Sequence, residues 1–443
     1  MSGTLVWFRQ DLRLRDNAAL HAAVKRGEPV IPVYIWSPEE EGDWPPGAAS
    51  RWWLHQSLSA LDESLRARGS RLILARGRAL AVLQRLARQT GATAVHWNHR
   101  YEPAARHCAE RVRAGLTRQG IEVHAFGSSL LVEPDALLNL SGKPYRVYSA
   151  YRRRVLSDVP HERPLGAPAR LRQPKRWPRS LRLDALKLIP RIEWYAAMER
   201  AWQPGEAGAQ ASLRRFMRKR LAGYRAGRER PADRGTSRLS PHLHFGEIGP
   251  RQIRHALGSK GHGSQFLSEL IWREFAHHLL YHFPHTPTKP LREEFTRFPW
   301  KRNAKSLRAW QSGCTGIPLV DAGMRELWAL GWMHNRVRMV VASLLVKNLL
   351  IPWQDGARWF WDTLVDADLA NNTLNWQWVA GSGADAAPYF RIFNPLEQEK
   401  RFDREGTYVR RWVKEPSLEP IVDLKRSREA ALDAYQQMRN GKR

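Results

Sequence analysis

The sequence predicts a parallel α/β domain followed by a domain that is nearly all helical. Strands alternate with helices up to about residue 126, a stretch rich in Pro and Arg follows, and from about Gly205 apolar residues recur at helical spacing. Regular alternation of strand and helix is typical of a parallel sheet covered on both faces. We therefore expect domains at 1–130 and 205–443, joined by a linker at 131–204.

The α/β domain is predicted from five short apolar runs. They predict strands at 4–8, 29–36, 71–75, 94–97 and 121–126. The intervening helices are expected from Asn17, over 51–68 with Ser50 as the N-cap, over 79–88 and over 103–118. No GxGxxG motif follows the first strand, so the dinucleotide-binding fingerprint is absent there.

The amino-acid composition of the linker is unusual between Tyr151 and Trp202. Six prolines fall among many arginines in this stretch: Pro160, Pro164, Pro168, Pro174, Pro178 and Pro190. Such a composition predicts an extended connector that wraps the surface. A basic disordered tail is the competing interpretation, but the internal position favours a linker.

The second domain is predicted from helical periodicity. Helices are expected at 211–225, 249–257, 264–281, 319–330, 335–349 and 356–376. The stretch 234–246 interrupts them with hydroxyl groups and a glycine. Thr236, Ser237 and Ser240, with backbone N–H groups at a helix start, form either a phosphate site or an ordinary helix cap.

Composition narrows the class of partner. The 443 residues carry a formal net charge of +29, which favours a polyanion such as nucleic acid. No apolar run of membrane-spanning length and no signal peptide is present, so no membrane partner is expected. Two cysteines without a CxxC motif favour a reducing cytoplasm, and histidine pairs without an acidic set at ligand spacing predict no metal site. A monomer is expected.

The run 365–378 contains two acids, four amides and two tryptophans, which is unusual for a surface helix. If it is helical, Asn372 and Trp376 share a face, and Trp378 points about 200° away from Trp376 at about 100° per residue. The interpretation as a lined pocket competes with that of a Trp-rich helical core whose polar groups are satisfied locally.

Two further pairs support the interpretation as a pocket. Asn335 and Met339 share a helical face, and Arg338 lies close enough in rotation to neutralise Asp366 or Asp368. Glu269 and Trp272 are three residues apart on another helix, and an acid beside an indole makes a suitable wall for a nucleobase.

Two long segments in this order, Thr315 to Arg336 and Asp366 to Trp378, resemble the paired signatures of the DNA photolyase and cryptochrome family, and the similarity extends from Leu5 to about Trp412. The resemblance implies a Rossmann-like antenna domain and an all-α FAD-binding domain. It implies that a reduced, light-excited flavin gives one electron to a cyclobutane dimer in DNA, which splits before the electron returns. A dimer must leave the base stack to reach such a pocket.

The resemblance also implies roles for particular residues. FAD would contact residues from five parts of the second domain: Tyr224, Thr236, Ser237, Arg238, Leu239, Ser240, Arg273, Arg338, Asp366, Asp368 and Asn372. Asn372 would face the flavin N5, and Arg338 and Asp366 would form an ion pair beside the ring. The DNA lesion would contact a second set: Glu269, Trp272, Arg273, Asn335, Met339 and Trp378. Trp376, Trp353 and Trp300 would carry an electron from the surface to the flavin.

The main rival is a cryptochrome-type blue-light photoreceptor without repair activity. Asn372 stands where plant cryptochromes typically carry aspartate, and the lesion-contact set is intact, so repair is favoured. Repair of (6-4) photoproducts would need a histidine pair within 332–336, which this sequence lacks. A light-independent nucleic-acid-binding protein that keeps flavin as a structural element is a third reading.

The antenna chromophore is left open by the sequence. The segment Asn98 to Arg106 departs from the pattern of folate-binding members of the best-known bacterial class. A folate bound differently, a deazaflavin, or no antenna are the alternatives.

Overall fold

The computed structural model describes residues 3–258, 264–386, 390–415 and 418–441. Its first part is a five-stranded parallel sheet in the order β3-β2-β1-β4-β5. The strands are β1 (Gly3–Phe8), β2 (Val30–Trp36), β3 (Ile73–Arg76), β4 (Ala92–Asn98) and β5 (Glu122–Phe126). The strand order reverses between β1 and β4, as in doubly wound folds.

Helices cover both faces of this sheet. They are α1 (Ala18–Lys25), α2 (Ala48–Arg66), α3 (Ala79–Thr90) and α4 (Pro103–Thr117). Within β1, Val6 and Phe8 belong to one hydrophobic cluster and Leu5 and Trp7 to the other. Because successive side chains of a strand point to opposite faces, one apolar run supplies both cores.

Among the described residues after β5, the regular secondary structure is helical. The helices are α5 (Tyr148–Asp158), α6 (Ala196–Ala201), α7 (Glu206–Lys219), α8 (Tyr224–Gly227), α9 (Ser240–His244), α10 (Pro250–Leu257), α11 (Gln265–His282), α12 (Ala304–Ser312), α13 (Pro318–Leu330), α14 (Asn335–Ser343), α15 (Trp353–Thr363), α16 (Leu369–Ala380), α17 (Pro395–Phe402), α18 (Thr407–Trp412) and α19 (Leu424–Asn440). The predicted fold class is thereby confirmed. No helix among the described residues is long and apolar enough to span a membrane.

The prediction of Ser50 as a helix N-cap is wrong. Helix α2 begins at Ala48, and the Oδ1 of Asp362, from the helical domain, accepts the Ala48 N–H at 2.9 Å. Glycine at position 47 allows this close approach, because a Cβ atom there would lie 2.3 Å from the carbonyl oxygen of Trp361. A contact between domains, rather than a local side chain, therefore sets the start of this helix.

Three helix predictions also need correction. The helix expected over 356–376 is two helices, because residues 364–368 turn between α15 and α16. The helix expected over 335–349 ends at Ser343 and continues as a π-helix over Leu344–Asn348. The helix expected over 211–225 is likewise divided into α7 and α8, and α5 occupies the first part of the predicted extended connector.

A buried polar cluster joins the two parts of the chain. The indole Nε1 of Trp53 in α2 donates to Glu247 Oε1 at 2.9 Å, and the Gly205 N–H donates to the same oxygen at 2.7 Å. The Arg13 guanidinium donates to the Gly246 carbonyl oxygen at 2.8 Å. Buried charges are stable when they are hydrogen-bonded in this way, so the cluster fixes how the sheet docks on the helices.

Candidate functional site

The predicted ion pair between Arg338 and Asp366 is present. An Nη2 atom of Arg338 lies 3.1 and 2.9 Å from the two carboxylate oxygens of Asp366. Its Nε donates to the Met333 carbonyl oxygen at 2.7 Å. These bonds connect α14 to the turn before α16 and hold a planar cation in a fixed orientation.

The first turn of α16 positions the two polar residues predicted beside the flavin. Asp368 is the N-cap and accepts the Asn371 N–H at 2.8 Å. The amide nitrogen of Asn372 donates to the Ala357 carbonyl oxygen of α15 at 3.1 Å, which fixes the direction of its side-chain oxygen. The prediction that one helix serves two sides agrees with the contacts of Trp376 and Trp378, which meet different neighbours.

The hydroxyl-rich stretch before α9 forms a loop with a left-handed residue. Arg238 has φ of +54°, and its guanidinium lies 4.7 Å from the ring centroids of both Trp202 and Trp332. Burial lowers the pKa of Arg238. Ser237 accepts the Leu239 N–H, the Thr236 carbonyl oxygen accepts from Arg220, and Ser240 begins the five-residue helix α9. The guanidinium of Arg238 is thus engaged with two indoles.

Tyr224 lies in an aromatic cluster with side chains of α7 and α11. It is 8% exposed and contacts Phe216 and Phe266 edge-on at 5.4 and 5.2 Å. Burial raises the pKa of its hydroxyl, and the Glu269 carboxylate adds to the effect. Tyr224 thereby packs against the first turn of α11, the helix that carries Glu269 and Trp272.

An aromatic platform forms one side of the candidate lesion site. The rings of Trp272 and Tyr148 stack with centroids 3.5 Å apart and an interplanar angle of 10°. The Tyr148 N–H donates to Asp385 Oδ2 at 2.9 Å, and the Trp378 indole donates to the Asp385 carbonyl oxygen at 3.2 Å. Asp385 and Tyr148 together therefore link the two predicted lesion tryptophans in one rim.

A chain of charged side chains continues this rim. Glu269 lies 3.0 Å from an Nη atom of Arg228, which neighbours Glu229 at 4.0 Å. Glu229 in turn binds Arg336, whose guanidinium lies 3.8 Å from the Met339 sulfur. Burial alone would raise the pKa of Glu229, but Arg336 outweighs it and the pKa is lowered.

Asn335 and Arg273 stand apart from these contacts. Asn335 is exposed at the first position of α14, directly before Arg336. The Arg273 guanidinium donates to the Ser129 carbonyl oxygen at 2.9 Å and neighbours Glu274 at 3.5 Å. Arg273 therefore anchors the segment after β5, and the structure places its guanidinium with neither the rim nor the Arg338 pair.

The three tryptophans of the predicted relay differ in exposure. Trp376 and Trp353 are each 2% exposed, whereas Trp300 is partly exposed and packs against Phe298 at 4.4 Å. The nearest aromatic contacts of Trp376 are Phe360 at 5.1 Å and Trp310 at 6.3 Å. Exposure thus increases toward Trp300.

A cavity of about 360 Å³ lies between the sheet and the helices. Residues from the carboxyl ends of β1 and β2 line it, together with Arg100, Glu102 and Leu369. Arg100 binds both carboxylate oxygens of Glu41, at 2.7 and 2.9 Å. This position, next to the reversal of strand order, is where open α/β sheets bind ligands.

Five rim residues were missed from the sequence: Tyr148, Arg228, Glu229, Arg336 and Asp385. Arg228 follows Tyr224 by four residues, a helical spacing that could have indicated it. Arg336 lies between the predicted Asn335 and Arg338. Tyr148 carried no local signal, because its partner Trp272 is far along the chain.

The chain is similar to known proteins over nearly its whole length. Residues 4–169 match the family model described as DNA photolyase, and residues 266–418 match the FAD binding domain of DNA photolyase. The deoxyribodipyrimidine photo-lyase of Agrobacterium fabrum is 47% identical over 97% of this chain and 97% of its own length.

Two solved structures are similar in fold and sequence. A bacterial class III photolyase from Agrobacterium tumefaciens superposes with a TM-score of 0.95 at 45% identity, covering 99% of this chain and 98% of that one. An archaeal photolyase from Sulfolobus tokodaii with two FAD molecules gives 0.86 at 31% identity, covering 98% and 100%. These matches confirm the resemblance carried by the sequence motifs.

Proposed function

We propose, from the premise that this chain belongs to the DNA photolyase family, that it repairs cyclobutane pyrimidine dimers in DNA under blue light. The observation that carries the proposal is the rim. Trp378 is linked to Trp272 through Asp385 and Tyr148. Glu269, on the same helix as Trp272, is linked to Met339 through Arg228, Glu229 and Arg336. The predictions of the family, of a photo-lyase enzyme and of an FAD cofactor are confirmed by the matches.

The side chains beside α16 fit a bound FAD. His334 Nε2 is buried without a hydrogen-bond partner in the described part of the chain, and His244 Nδ1 faces only the Asp368 carboxylate, at 3.9 Å. Buried polar atoms are rarely left unsatisfied, so such atoms are expected next to a ligand. Arg338, Asp366, Asp368, Asn372 and the loop 236–240 are the residues that would hold the cofactor. FAD, when bound, supplies light absorption and one-electron chemistry.

The rim residues would bind the flipped dimer. The Trp272–Tyr148 stack offers a flat apolar surface, and Trp378 offers a second one from the opposite end of the Asp385 bridge. Aromatic stacking on a base contributes about 1–3 kcal/mol. Glu269 offers carboxylate oxygens that accept hydrogen bonds at the edge of this surface. Arg228 and Arg336, which are paired with Glu269 and Glu229, offer guanidinium donors where a strand backbone would pass.

The chain's own residues would also supply the electron for flavin reduction. We propose that Trp376, Trp353 and Trp300 carry it inward, because two of the three are buried and the third is partly exposed. The relay would serve activation rather than repair.

We further propose that the cavity between the domains holds a second, light-harvesting chromophore. It lies at the carboxyl ends of β1 and β2, and the two FAD molecules of the Sulfolobus relative are a precedent for a second chromophore. Mass spectrometry of chromophores extracted from the native protein distinguishes a folate, a deazaflavin, a second flavin and none.

The test uses the whole protein, fully reduced, with an oligonucleotide that contains one thymine dimer. Illumination with blue light is expected to restore both thymines, as measured by chromatography, and a dark sample is the control. If no thymine is restored while FAD is bound, the photoreceptor alternative replaces repair. We expect the protein to be cytoplasmic and its active form to be a monomer. Sedimentation tests the oligomeric state.

A further inference from the structure

An arginine-rich segment crosses the α/β domain between α5 and α6. We call residues 163–182 the strap. It contains no acidic residue and seven basic ones, all exposed: Arg163, Arg170, Arg172, Lys175, Arg176, Arg179 and Arg182. Only Arg182 forms an ion pair with another residue that the structure describes, at 3.2 Å from Asp184. The strap is therefore a concentrated positive charge that the fold leaves largely unneutralised.

The backbone of the strap is fixed to the sheet at two places. At one, the Leu171 N–H donates to the Arg68 carbonyl oxygen at 3.2 Å and the Arg172 carbonyl oxygen accepts from Val30 at 2.9 Å. At the other, the Leu181 N–H donates to the Leu74 carbonyl oxygen at 2.9 Å. The basic side chains between these places project from an ordered backbone, which reduces the entropy that a ligand must remove.

The spacing of the charges suits a polyphosphate. The two attachment places are close together, because the strap bonds Val30 of β2 and Leu74 of β3, and Leu74 pairs with Tyr34, four residues after Val30. At about 3.3 Å per residue this is roughly 13 Å along the sheet, so the basic residues from Arg170 to Arg182 are concentrated in a short stretch. Duplex DNA carries one negative charge per about 1.7 Å of its axis. Several phosphates could therefore meet the strap at once.

An anionic lipid surface is a poorer match. Membrane-surface segments insert aromatic or aliphatic side chains beside their cations. The tryptophan of the strap, Trp177, packs against the core of the α/β domain and lies under Arg71, whose guanidinium is 4.9 Å from the ring. Leu181 is the one large apolar side chain of the strap with substantial exposure, at 40%.

We propose that the strap is a second, lesion-independent contact for the phosphate backbone of duplex nucleic acid. It lies on the α/β domain, whereas the proposed dimer site lies on α11, α14 and α16 of the helical domain. The strap would add affinity for undamaged duplex without reading sequence. It stands whether or not the protein repairs dimers.

The test compares two variants that each lose four positive charges. The strap variant is R170Q/R172Q/R176Q/R179Q. The control variant is K25Q/R85Q/R88Q/R118Q, which removes exposed basic residues from helices of the same domain. Binding of an undamaged duplex is measured by fluorescence anisotropy over a range of salt concentrations, with the full chain and its cofactor.

Each lost phosphate contact reduces the slope of log K against log salt by about 0.9. We expect the strap variant to lose at least two contacts, about 1.8 in slope, and the control variant less than half of that. Equal slopes in the two variants would overturn the proposal. Loss of binding to phosphatidylserine vesicles with unchanged duplex binding would also overturn it.

Two measurements keep the result interpretable. If the fourfold variant melts early by circular dichroism, the single substitutions R170Q and R176Q decide, each expected to reduce the slope by about 0.9. Repair of a dimer-containing oligonucleotide is measured in parallel. If the strap variant changes the salt slope but the parent does not repair the dimer, the strap proposal stands and the proposed function is rejected. If the parent repairs the dimer but the strap variant does not change the slope, the proposed function stands and the strap proposal is rejected.

Discussion

His277 lies between two acceptors, with Nε2 3.3 Å from Asp368 Oδ2 and Nδ1 3.0 Å from the Arg273 carbonyl oxygen. Both ring nitrogens must carry a proton to donate to both, so the geometry favours the imidazolium. Burial alone would lower the pKa of His277, but the Asp368 carboxylate outweighs it and raises the pKa. Burial would raise the pKa of Asp368, but His277 and its neighbours hold it well below its usual range.

The first prediction concerns the pH dependence of stability. Because the folded-state pKa of His277 is raised, its stabilising effect is fully present below the ordinary value of 6.5 and is lost as pH rises through the raised pKa. His277→Asn should therefore lower the melting temperature most at mildly acidic pH, and the difference should shrink at alkaline pH. Breaking a buried ion pair costs about 3–5 kcal/mol.

His278→Asn is the matched control for this experiment. His278 is also buried on α11, but burial lowers its pKa to about 3, so it stays neutral over the same pH range. Its substitution should show the opposite pH dependence, because below about pH 6.5 the unfolded parent binds a proton at His278 that the folded protein does not. The loss of melting temperature caused by His278→Asn should therefore be smaller at mildly acidic pH than at alkaline pH. Parallel curves for His277→Asn and the parent would show that the ion pair does not titrate.

A second prediction concerns Glu269, which Arg228 holds at the rim. Glu269→Ala should weaken binding of dimer-containing DNA by about 10- to 100-fold, because a hydrogen bond to a charged group contributes about 1.5–3 kcal/mol. The yield of dimer splitting per absorbed photon should also fall, with FAD content unchanged. Glu429→Ala, at an exposed position of α19, is the control. Equal binding and yield in all three proteins would make Glu269 an ordinary surface acid.

A third prediction separates flavin reduction from repair. Trp376→Phe should block light-driven reduction of oxidised flavin and leave repair by chemically reduced protein nearly intact, because the relay does not touch the dimer. Trp310→Phe is the control, since Trp310 contacts Trp376 but lies outside the predicted relay. Transient absorption measures flavin reduction and dimer splitting in each protein. If the Trp310 variant is blocked as strongly, electrons reach Trp376 by a different path.

A fourth prediction follows from the packing of Trp376. A Cβ atom at Gly356 would lie 2.1 Å from the Trp376 ring and 2.6 Å from a methyl group of Leu345. Gly356→Ala should therefore lower the free energy of unfolding by about 1–3 kcal/mol, as overpacked cores do. It should also slow flavin photoreduction by displacing the ring. Gly166→Ala, where no atom lies within 4 Å, should change neither quantity.

The parts of the fold that could be predicted are those with local causes. The five strands were found because parallel strands buried on both faces are continuous apolar runs. The Arg338–Asp366 pair was predictable because Arg338 was expected on a helix and the family resemblance implied the pairing, although Asp366 lies in the turn between α15 and α16. The start of α2 could not be predicted from local sequence, because Asp362 of the other domain caps it. Tyr148 was missed for the same reason, since it meets Trp272 only after the chain has folded.

The strap has a second consequence for the sheet it crosses. Strand β3 is an edge strand, and the strap donates the Leu181 N–H to Leu74 and accepts the Leu74 N–H at Ser180 Oγ. Uncovered edge strands pair with other molecules and promote aggregation. A fragment ending at residue 130 would keep all five strands but lose this cover. Such a fragment should self-associate through β3, so the α/β domain needs residues beyond its last strand to remain a separate unit.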